Sequence, residues 1–200
     1  MMSQLRTYGI RSERVLAAME KVRRHEFIPA KYRDLSNPYG DYPSPIGHGQ
    51  TISQPYIVAY MTERIDPKPG EKILEIGTGS GYQAAILAEL GADVYTIEII
   101  PELADHARHV LAAEGYGKVH VLTGDGYRGW PEHAPVDAVI VTCAPGEVPQ
   151  ALVDQLKDGG RMILPLGTGP QRLVILRKKA GRVEQEEDLP VRFVPMAHGS

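Results

Sequence analysis

The sequence is poor in cysteine, in net charge and in long apolar runs. Cys143 is the one cysteine among 200 residues, so no disulfide framework exists and a reducing, cytoplasmic setting fits. The formal net charge of −3 gives no electrostatic footprint for nucleic acid. No run approaches the ~18 apolar residues of a membrane span, and the N-terminus lacks the apolar region of a secretion signal. We therefore expect a soluble, cytoplasmic protein that binds neither nucleic acid nor a membrane.

The chain also lacks internal repeats and low-complexity segments, and its length and composition are those of one globular domain. Helical and strand patterns alternate, which predicts an α/β fold. Its sheet would be doubly wound, mostly parallel and Rossmann-like, with helices on both faces and ligands outside the carboxyl ends of the strands. A helical and loop extension precedes it. Predicted helices follow Ser12 and cover 56–65, 82–90, 101–114 and 148–156, and predicted strands cover 72–76, 94–98, 119–123, 136–142, 161–165, 172–177 and 191–194.

The most informative segment is 73–82, where an apolar run reaches Glu75 and glycines follow at every second position. Glycine lets a turn adopt positive φ and brings the backbone close to a ligand. Dinucleotide folds use G-x-G-x-x-G instead, and here Tyr82 stands where their third glycine would fall. The carboxylate of Glu75 would repel a pyrophosphate and suits a ligand with a cationic amino acid end. An ordinary structural turn is the alternative.

Acidic or hydroxyl side chains stand at the ends of four predicted strands. Glu98 lies 21 residues after Gly77, near the distance at which Rossmann-type folds place a carboxylate on ribose hydroxyls. The alternative is that it caps the next helix. Asp125, between two glycines, is placed to accept from an adenine amino group, although Asp-Gly is also ordinary turn chemistry. With Glu75 and Thr142, these residues would meet at one edge of the sheet.

Other candidates carry less weight. The segment 35–54 is long for an idle connection, which predicts a functional loop. His106 and His109 share a helix face without a third ligand, so we expect no metal site. Cys143 follows a buried strand and is expected to be a small core residue. The acidic run 184–188 is expected to be a solvated face or turn.

Several longer motifs go beyond the glycine loop, and of these the segment 45–56, with its Gly-x-Gly-Gln-Thr-Ile-Ser-x-Pro pattern, is the most specific. Together they resemble the protein-L-isoaspartate O-methyltransferase family, a class I S-adenosylmethionine-dependent methyltransferase family, over about residues 10–196. The resemblance implies methyl transfer from S-adenosylmethionine to the α-carboxyl of L-isoaspartyl residues in damaged proteins and peptides. The ester then collapses to a succinimide, and hydrolysis returns some normal aspartate. The motifs lie at 45–56, 75–84, 124–126, 137–142, 159–161 and 191–195.

The resemblance also implies site residues. Ser53 matches the active-site serine. Two departures are Tyr127, where tryptophan is frequent, and Cys143, where alanine is usual and where a thiol implies oxidant sensitivity. We expect one methyltransferase domain over 1–200, with helices and the acceptor-site loop in 1–70 and the cofactor-binding sheet in 71–200, and we favour a monomer. The predicted cofactor-binding residues are Gln50, Thr51, Ile52, Ser53, Val58, Glu75, Gly77, Thr78, Gly79, Glu98, Asp125, Gly126 and Thr142.

The chemistry of the acceptor defines what Ser53 would do. A carboxylate is ionised at neutral pH, so it needs no general base, and a hydroxyl donor can orient one of its oxygens. Ser53 is therefore interpreted as a positioning donor, with an N-cap of the next helix as the alternative. Two other functions stay open. One is a class I methyltransferase for another carboxyl, nucleic acid or small molecule, although the Asn/Asp-Pro-Pro-aromatic motif of amine methyltransferases is absent after Val141. The other is a non-catalytic sensor of an adenosine ligand.

Overall fold

The computed structural model describes residues 1–35 and 37–199, and its chain alternates between helices and strands. Short 3₁₀ turns lie at Arg24–Phe27, Gly126–Arg128 and Pro131–His133. The helices are α1 (Met2–Thr7), α2 (Glu13–Lys21), α3 (Ala30–Arg33), α4 (Pro55–Ile65), α5 (Tyr82–Glu89), α6 (Pro101–Ala113) and α7 (Gln150–Gln155). The strands are β1 (Ser44–Gly47), β2 (Gln50–Ile52), β3 (Lys72–Ile76), β4 (Asp93–Glu98), β5 (His120–Thr123), β6 (Val136–Val141), β7 (Leu156–Leu166), β8 (Gln171–Lys179) and β9 (Arg182–Val191).

The central sheet has seven strands in the order β5-β4-β3-β6-β7-β8-β9. The first five of these strands pair in parallel, and β8 and β9 are added antiparallel at one edge. The order reverses at β3, from which the chain continues to β4 on one side and later to β6 on the other. Ligands bind outside the carboxyl ends of the strands at such a switch point. The predicted fold class is therefore confirmed.

Two hydrophobic layers sandwich the sheet, which explains why its central strands are apolar throughout. On β6, Ala138 and Ile140 pack toward α2, α4, α5 and α6. Val139 and Val141 pack on the opposite face, toward α7 and the segment around Met196. Within the described residues, no helix has the length and apolar character needed to cross a membrane.

The N-terminal part of the chain places the loop that follows it. Ser12 caps α2 as predicted, because its Oγ accepts from the backbone N–H of Val15 at 3.3 Å. The segment 35–54 is not loop throughout, since residues 44–52 contain the β1–β2 hairpin, paired at Ser44 and Ile52. Residues up to 70 thus contribute helices and this hairpin, and all seven strands of the main sheet come later in the chain.

The C-terminal strand prediction is wrong. The last strand is Arg182–Val191, and residues 192–194 lie outside it, whereas the sequence predicted a strand at 191–194. The acidic run 184–188, expected as a turn or solvated face, lies within this strand. Residues 182–187 of this edge strand are exposed and so need no apolar alternation, and charge along them discourages pairing with other chains. The acidic run also contacts α4, because Asp188 accepts a hydrogen bond from the hydroxyl of Tyr60 at 2.7 Å.

Candidate active site

The glycine loop connects β3 to α5 and depends on residues without a side chain. Gly77, Gly79 and Gly81 have φ values of +94°, +52° and +87°, in the left-handed region that other residues avoid. A Cβ at Gly77 would lie 2.5 Å from the Oγ1 of Thr142. That hydroxyl donates to the Gly77 carbonyl oxygen at 2.6 Å. Thr142, which follows β6, therefore braces the loop from the neighbouring strand.

Glu98 ends β4 and joins the loop to the next helix. Its Oε2 accepts from the backbone N–H of Gly79 at 2.8 Å, and its Oε1 accepts from that of Ile100 at 3.0 Å. Ile100 is the N-cap of α6, which begins at Pro101, so the carboxylate does not bond the first-turn amides of that helix. Each carboxylate oxygen can accept a further hydrogen bond. Glu98 is 5% exposed and lines the cavity described below.

Glu75 is the most unusual group at this edge of the sheet. Its carboxyl group is fully buried, and Oε2 accepts from the hydroxyl of Thr96 at 2.6 Å. That hydroxyl also contacts Thr78 Oγ1 at 2.7 Å. Oε1 has no partner among the described residues. Burial raises the pKa of Glu75 to about 8. A buried carboxyl oxygen without a donor fits the cationic amine of a bound ligand, because such an ion would satisfy both its charge and its hydrogen bond.

These groups surround a cavity at the carboxyl ends of β3, β4 and β6. The lining brings together predicted residues from separate parts of the chain. They are Gln50, Thr51, Ile52, Ser53, Val58, Glu75, Gly77, Thr78, Gly79, Glu98, Gly126 and Thr142.

Asp125 is the predicted cofactor residue that does not line this cavity. Its Oδ1 accepts from the backbone N–H of Tyr127 at 2.9 Å, and its Oδ2 accepts from that of Gly199 at 3.1 Å. It thus caps a 3₁₀ turn, as the turn interpretation required. The next residue, Gly126, does face the cavity, and a Cβ there would lie 2.4 Å from Ile76 Cγ2. The adenine contact of Asp125 stays a prediction.

Ser53 lies where a second cavity meets the first. This groove shares Thr51, Ser53, Ile57, Thr142 and residues 193–195 with the first cavity. The Ser53 hydroxyl hydrogen-bonds to none of the residues that the structure describes.

The N-cap alternative for Ser53 is wrong, because the N-cap of α4 is Gln54. The first-turn N–H of Tyr56 is instead satisfied by the carboxylate of Asp41, at 2.8 Å.

Some lining residues were not predicted. On α4, Ile57 and Met61 are one helical turn apart and face the cavity, a spacing that could have been recognised. Residues 196–197 carried no such signal, because they follow the last strand as irregular backbone. The carbonyl of Ala144 holds this segment by accepting from Met196 N–H at 2.8 Å. Cys143 also lines the cavity, and burial raises the pKa of its thiol to about 12, so the thiol is neutral.

Comparison with known proteins gives a consistent result. The family model for protein-L-isoaspartate(D-aspartate) O-methyltransferase matches residues 1–200. A protein-L-isoaspartate O-methyltransferase of Gloeobacter violaceus is 56% identical over 195 residues, covering 96% of this chain and 94% of that protein. The corresponding protein of a Picosynechococcus species is 52% identical, covering 96% of this chain and 86% of the relative.

Two solved structures agree with the sequence comparison. One, a protein-L-isoaspartate O-methyltransferase, has a TM-score of 0.89 and 30% identity, covering 98% of this chain and 64% of that longer chain. The other, a β-aspartate methyltransferase from Plasmodium falciparum in complex with S-adenosyl-L-homocysteine, has a TM-score of 0.87 and 26% identity, covering 98% of this chain and 96% of the other. The chain therefore belongs to the protein-L-isoaspartate(D-aspartate) O-methyltransferase family, as the resemblance of its motifs predicted.

Proposed function

We propose that this chain transfers the methyl group of S-adenosylmethionine to the free α-carboxyl of L-isoaspartyl residues in damaged proteins and peptides, which initiates their repair. The observation that carries the proposal is the position of Ser53. Its hydroxyl lies in the wall shared by the cavity and the groove, and it is not engaged by any described side chain or backbone group. A donor at that junction would meet a carboxylate that enters from the groove.

The first cavity would hold the cofactor. The partnerless oxygen of Glu75 fits its cationic amine, and the carboxylate of Glu98 has acceptor capacity left for the ribose hydroxyls. The absence of side chains at Gly77 and Gly79 lets the backbone approach the ligand. When bound, the sulfonium supplies an activated methyl group, a chemistry that no side chain offers.

The residues at the junction would position the acceptor. An α-carboxylate is ionised at neutral pH, so no residue has to remove a proton from it. Ser53 Oγ would donate a hydrogen bond to one carboxylate oxygen and leave the other free to attack. The apolar walls at Ile57 and Phe193 would exclude water that otherwise solvates the nucleophile.

The groove would recognise the peptide backbone. An isoaspartyl linkage places an extra methylene in the main chain and frees the α-carboxyl, so the shape of the chain can be distinguished without reading neighbouring side chains. The groove is walled by two parts of the sequence together with Thr142: residues 189–195, and a set from the segment before and at the start of α4, namely Pro43, Thr51, Ser53, Gln54, Tyr56 and Ile57. We therefore expect isoaspartyl peptides with varied flanking residues to be substrates.

The decisive experiment measures labelled methyl transfer to an isoaspartyl peptide and to its normal aspartyl twin. We expect transfer to the first and hardly any to the second, with no saturable binding of NADH. Comparable rates on both peptides would indicate a general carboxyl methyltransferase. Transfer only to nucleic acid or to a small molecule would indicate another class I enzyme. Binding of S-adenosylmethionine without transfer to any acceptor would indicate a sensor.

We also propose a cytoplasmic location and a monomeric state, with no affinity for nucleic acid. A lone thiol fits a reducing compartment, and the net charge of −3 offers no attraction to phosphates. Light scattering after gel filtration measures the mass directly, and a value twice 22.0 kDa would contradict the monomer.

A further inference from the structure

Asp41 caps α4 from outside the helix. Its Oδ1 accepts from the backbone N–H of Tyr56 at 2.8 Å, and its Oδ2 accepts from the side-chain amide of Gln54 at 3.2 Å. Gln54 is the N-cap residue of the helix, but its own side chain makes no capping bond. A carboxylate at this place satisfies a free amide and interacts favourably with the helix dipole. The start of α4 therefore depends on a residue 15 positions earlier in the chain than Tyr56.

Ser53 lies between two fixed points. On its N-terminal side, Ile52 ends β2 and pairs with Ser44 in the hairpin. On its C-terminal side, Gln54 is bonded by Asp41. Because none of the described groups hydrogen-bonds the Ser53 hydroxyl, the backbone on either side is what fixes the Cα–Cβ bond that carries it. Asp41 supplies one of those two constraints.

Asp41 is itself anchored toward the cofactor cavity. Upstream of it, the carbonyl of Pro38 accepts from Nε of Arg24 at 2.7 Å. Arg24 is fully buried, and its guanidinium lies 5.0 Å from the ring centroid of Tyr82, which begins α5 and lines the cavity. The loop that carries Asp41 is therefore tied to the wall of the first cavity as well as to α4.

We propose that Asp41 is a positioning residue for methyl transfer, which holds the backbone at Ser53 so that the hydroxyl meets the acceptor carboxylate. This inference rests on the proposed function. Asp41 lines neither cavity, so it acts through Ser53 and does not touch the cofactor or the acceptor. A purely structural cap would lower stability and leave the turnover of the folded enzyme unchanged.

The test is a double-mutant cycle between Asp41 and Ser53, with turnover measured on an isoaspartyl peptide at saturating cofactor. Asp41→Ala is expected to lower kcat about tenfold, since small misplacements of a positioning group are costly. In a Ser53→Ala background the same change is expected to alter kcat less than about twofold, because residues that act as one unit are not additive. Asp41→Asn keeps an acceptor for Tyr56 N–H and is expected to restore most of the turnover.

Two controls separate the possible outcomes. Calorimetry with S-adenosyl-L-homocysteine is expected to give unchanged affinity in Asp41→Ala, and a lost affinity would make Asp41 a general structural residue and overturn the proposal. Asp154→Ala breaks a similar bond, from Gln150 Nε2 to Asp154 Oδ1 at 2.8 Å on α7, and should leave kcat unchanged.

The remaining outcomes are equally clear. Equal losses from Asp41→Ala in both backgrounds, or no loss in either, would overturn the proposal while the parent still methylates the peptide. If Asp41→Ala does not fold, Asp41→Ser, whose shorter hydroxyl loses the contact with the Gln54 side chain, is taken through the same cycle with Ser53, and the same outcomes decide. A folded parent that methylates no isoaspartyl peptide would instead contradict the proposed function, and this inference with it.

Discussion

The carboxylate of Glu98 accepts a hydrogen bond from the backbone N–H of Gly79 at 2.8 Å. The second acidic residue of the site thus holds the glycine loop in addition to facing the cavity. The glycine loop follows β3 and Glu98 ends β4, and these neighbouring strands run in parallel and end at the same edge of the sheet. Replacing Glu98 would therefore remove a support of the loop together with the proposed contact to the ribose.

Glu98→Ala is expected to weaken S-adenosylmethionine binding by about 1.5–3 kcal/mol, the range for charge-assisted hydrogen bonds. Calorimetry on the folded variant measures this. Glu102→Ala, on the exposed first turn of α6, serves as the matched control and should bind normally. Unchanged affinity in Glu98→Ala would remove the residue from the cofactor site.

Ser53→Ala is expected to lower turnover roughly 10²-fold, about 2.7 kcal/mol in the barrier, while cofactor affinity stays within a few fold. Its stability should change little, because Ser53 does not cap α4. Ser12→Ala is the opposite case, since Ser12 does cap α2; it should cost about 1 kcal/mol of stability and spare turnover. Steady-state kinetics and urea unfolding on both variants measure these opposite effects. Near-normal turnover in Ser53→Ala would contradict the positioning role of Ser53.

The raised pKa of Glu75 predicts how stability depends on pH in the free protein. Between its ordinary value of 4.5 and about 8, the folded protein keeps a proton on Glu75 that the unfolded chain releases. This group therefore makes the free energy of unfolding fall as pH rises through that window, with no further change above it.

Glutamine cannot ionise, so the Glu75→Gln variant should not lose unfolding free energy through this group as pH rises. The unfolding free energy of the variant relative to the parent is expected to rise by on the order of 5 kcal/mol between pH 4.5 and pH 8, at 1.36 kcal/mol per pKa unit. Urea unfolding of the variant and of the parent at several pH values measures the difference. A difference that stays flat with pH would show that Glu75 titrates normally.

Gly77→Ala is expected to lower stability more than the replacement of a glycine with a similar φ elsewhere. Gly115 has φ +87° with open space around its Cβ position, so Gly115→Ala should cost only the left-handed strain, about 1–2 kcal/mol. Gly77→Ala adds a collision with Thr142 Oγ1, and we expect a larger loss of stability and at least about tenfold weaker cofactor binding. Equal losses in stability and normal cofactor binding would contradict the close packing of the loop on Thr142.

Features set by interactions between residues close in the chain could be predicted from the sequence. The strands 72–76 and 94–98 and the Ser12 cap were predicted correctly, because apolar periodicity and capping act over a few residues. The strand predicted at 191–194 is wrong. The observed strand, Arg182–Val191, is rich in charged residues and lacks the apolar periodicity by which a strand is recognised. The division of the chain into 1–70 and 71–200 stays a prediction.

The sequence by itself determined the α/β fold, the glycine turn after β3 and the acidic residues at the strand ends, because each follows from local spacing of residue types. Only the tertiary structure decided what those residues contact. It turned the Asp125 carboxylate toward its own 3₁₀ turn and toward Gly199, left Glu75 without a donor on one oxygen, and gave the cap of α4 to Asp41 in place of Ser53. These outcomes depend on groups that lie far apart in the chain and compete for the same hydrogen bonds. A pattern of neighbouring residues does not indicate which of these groups forms the bond.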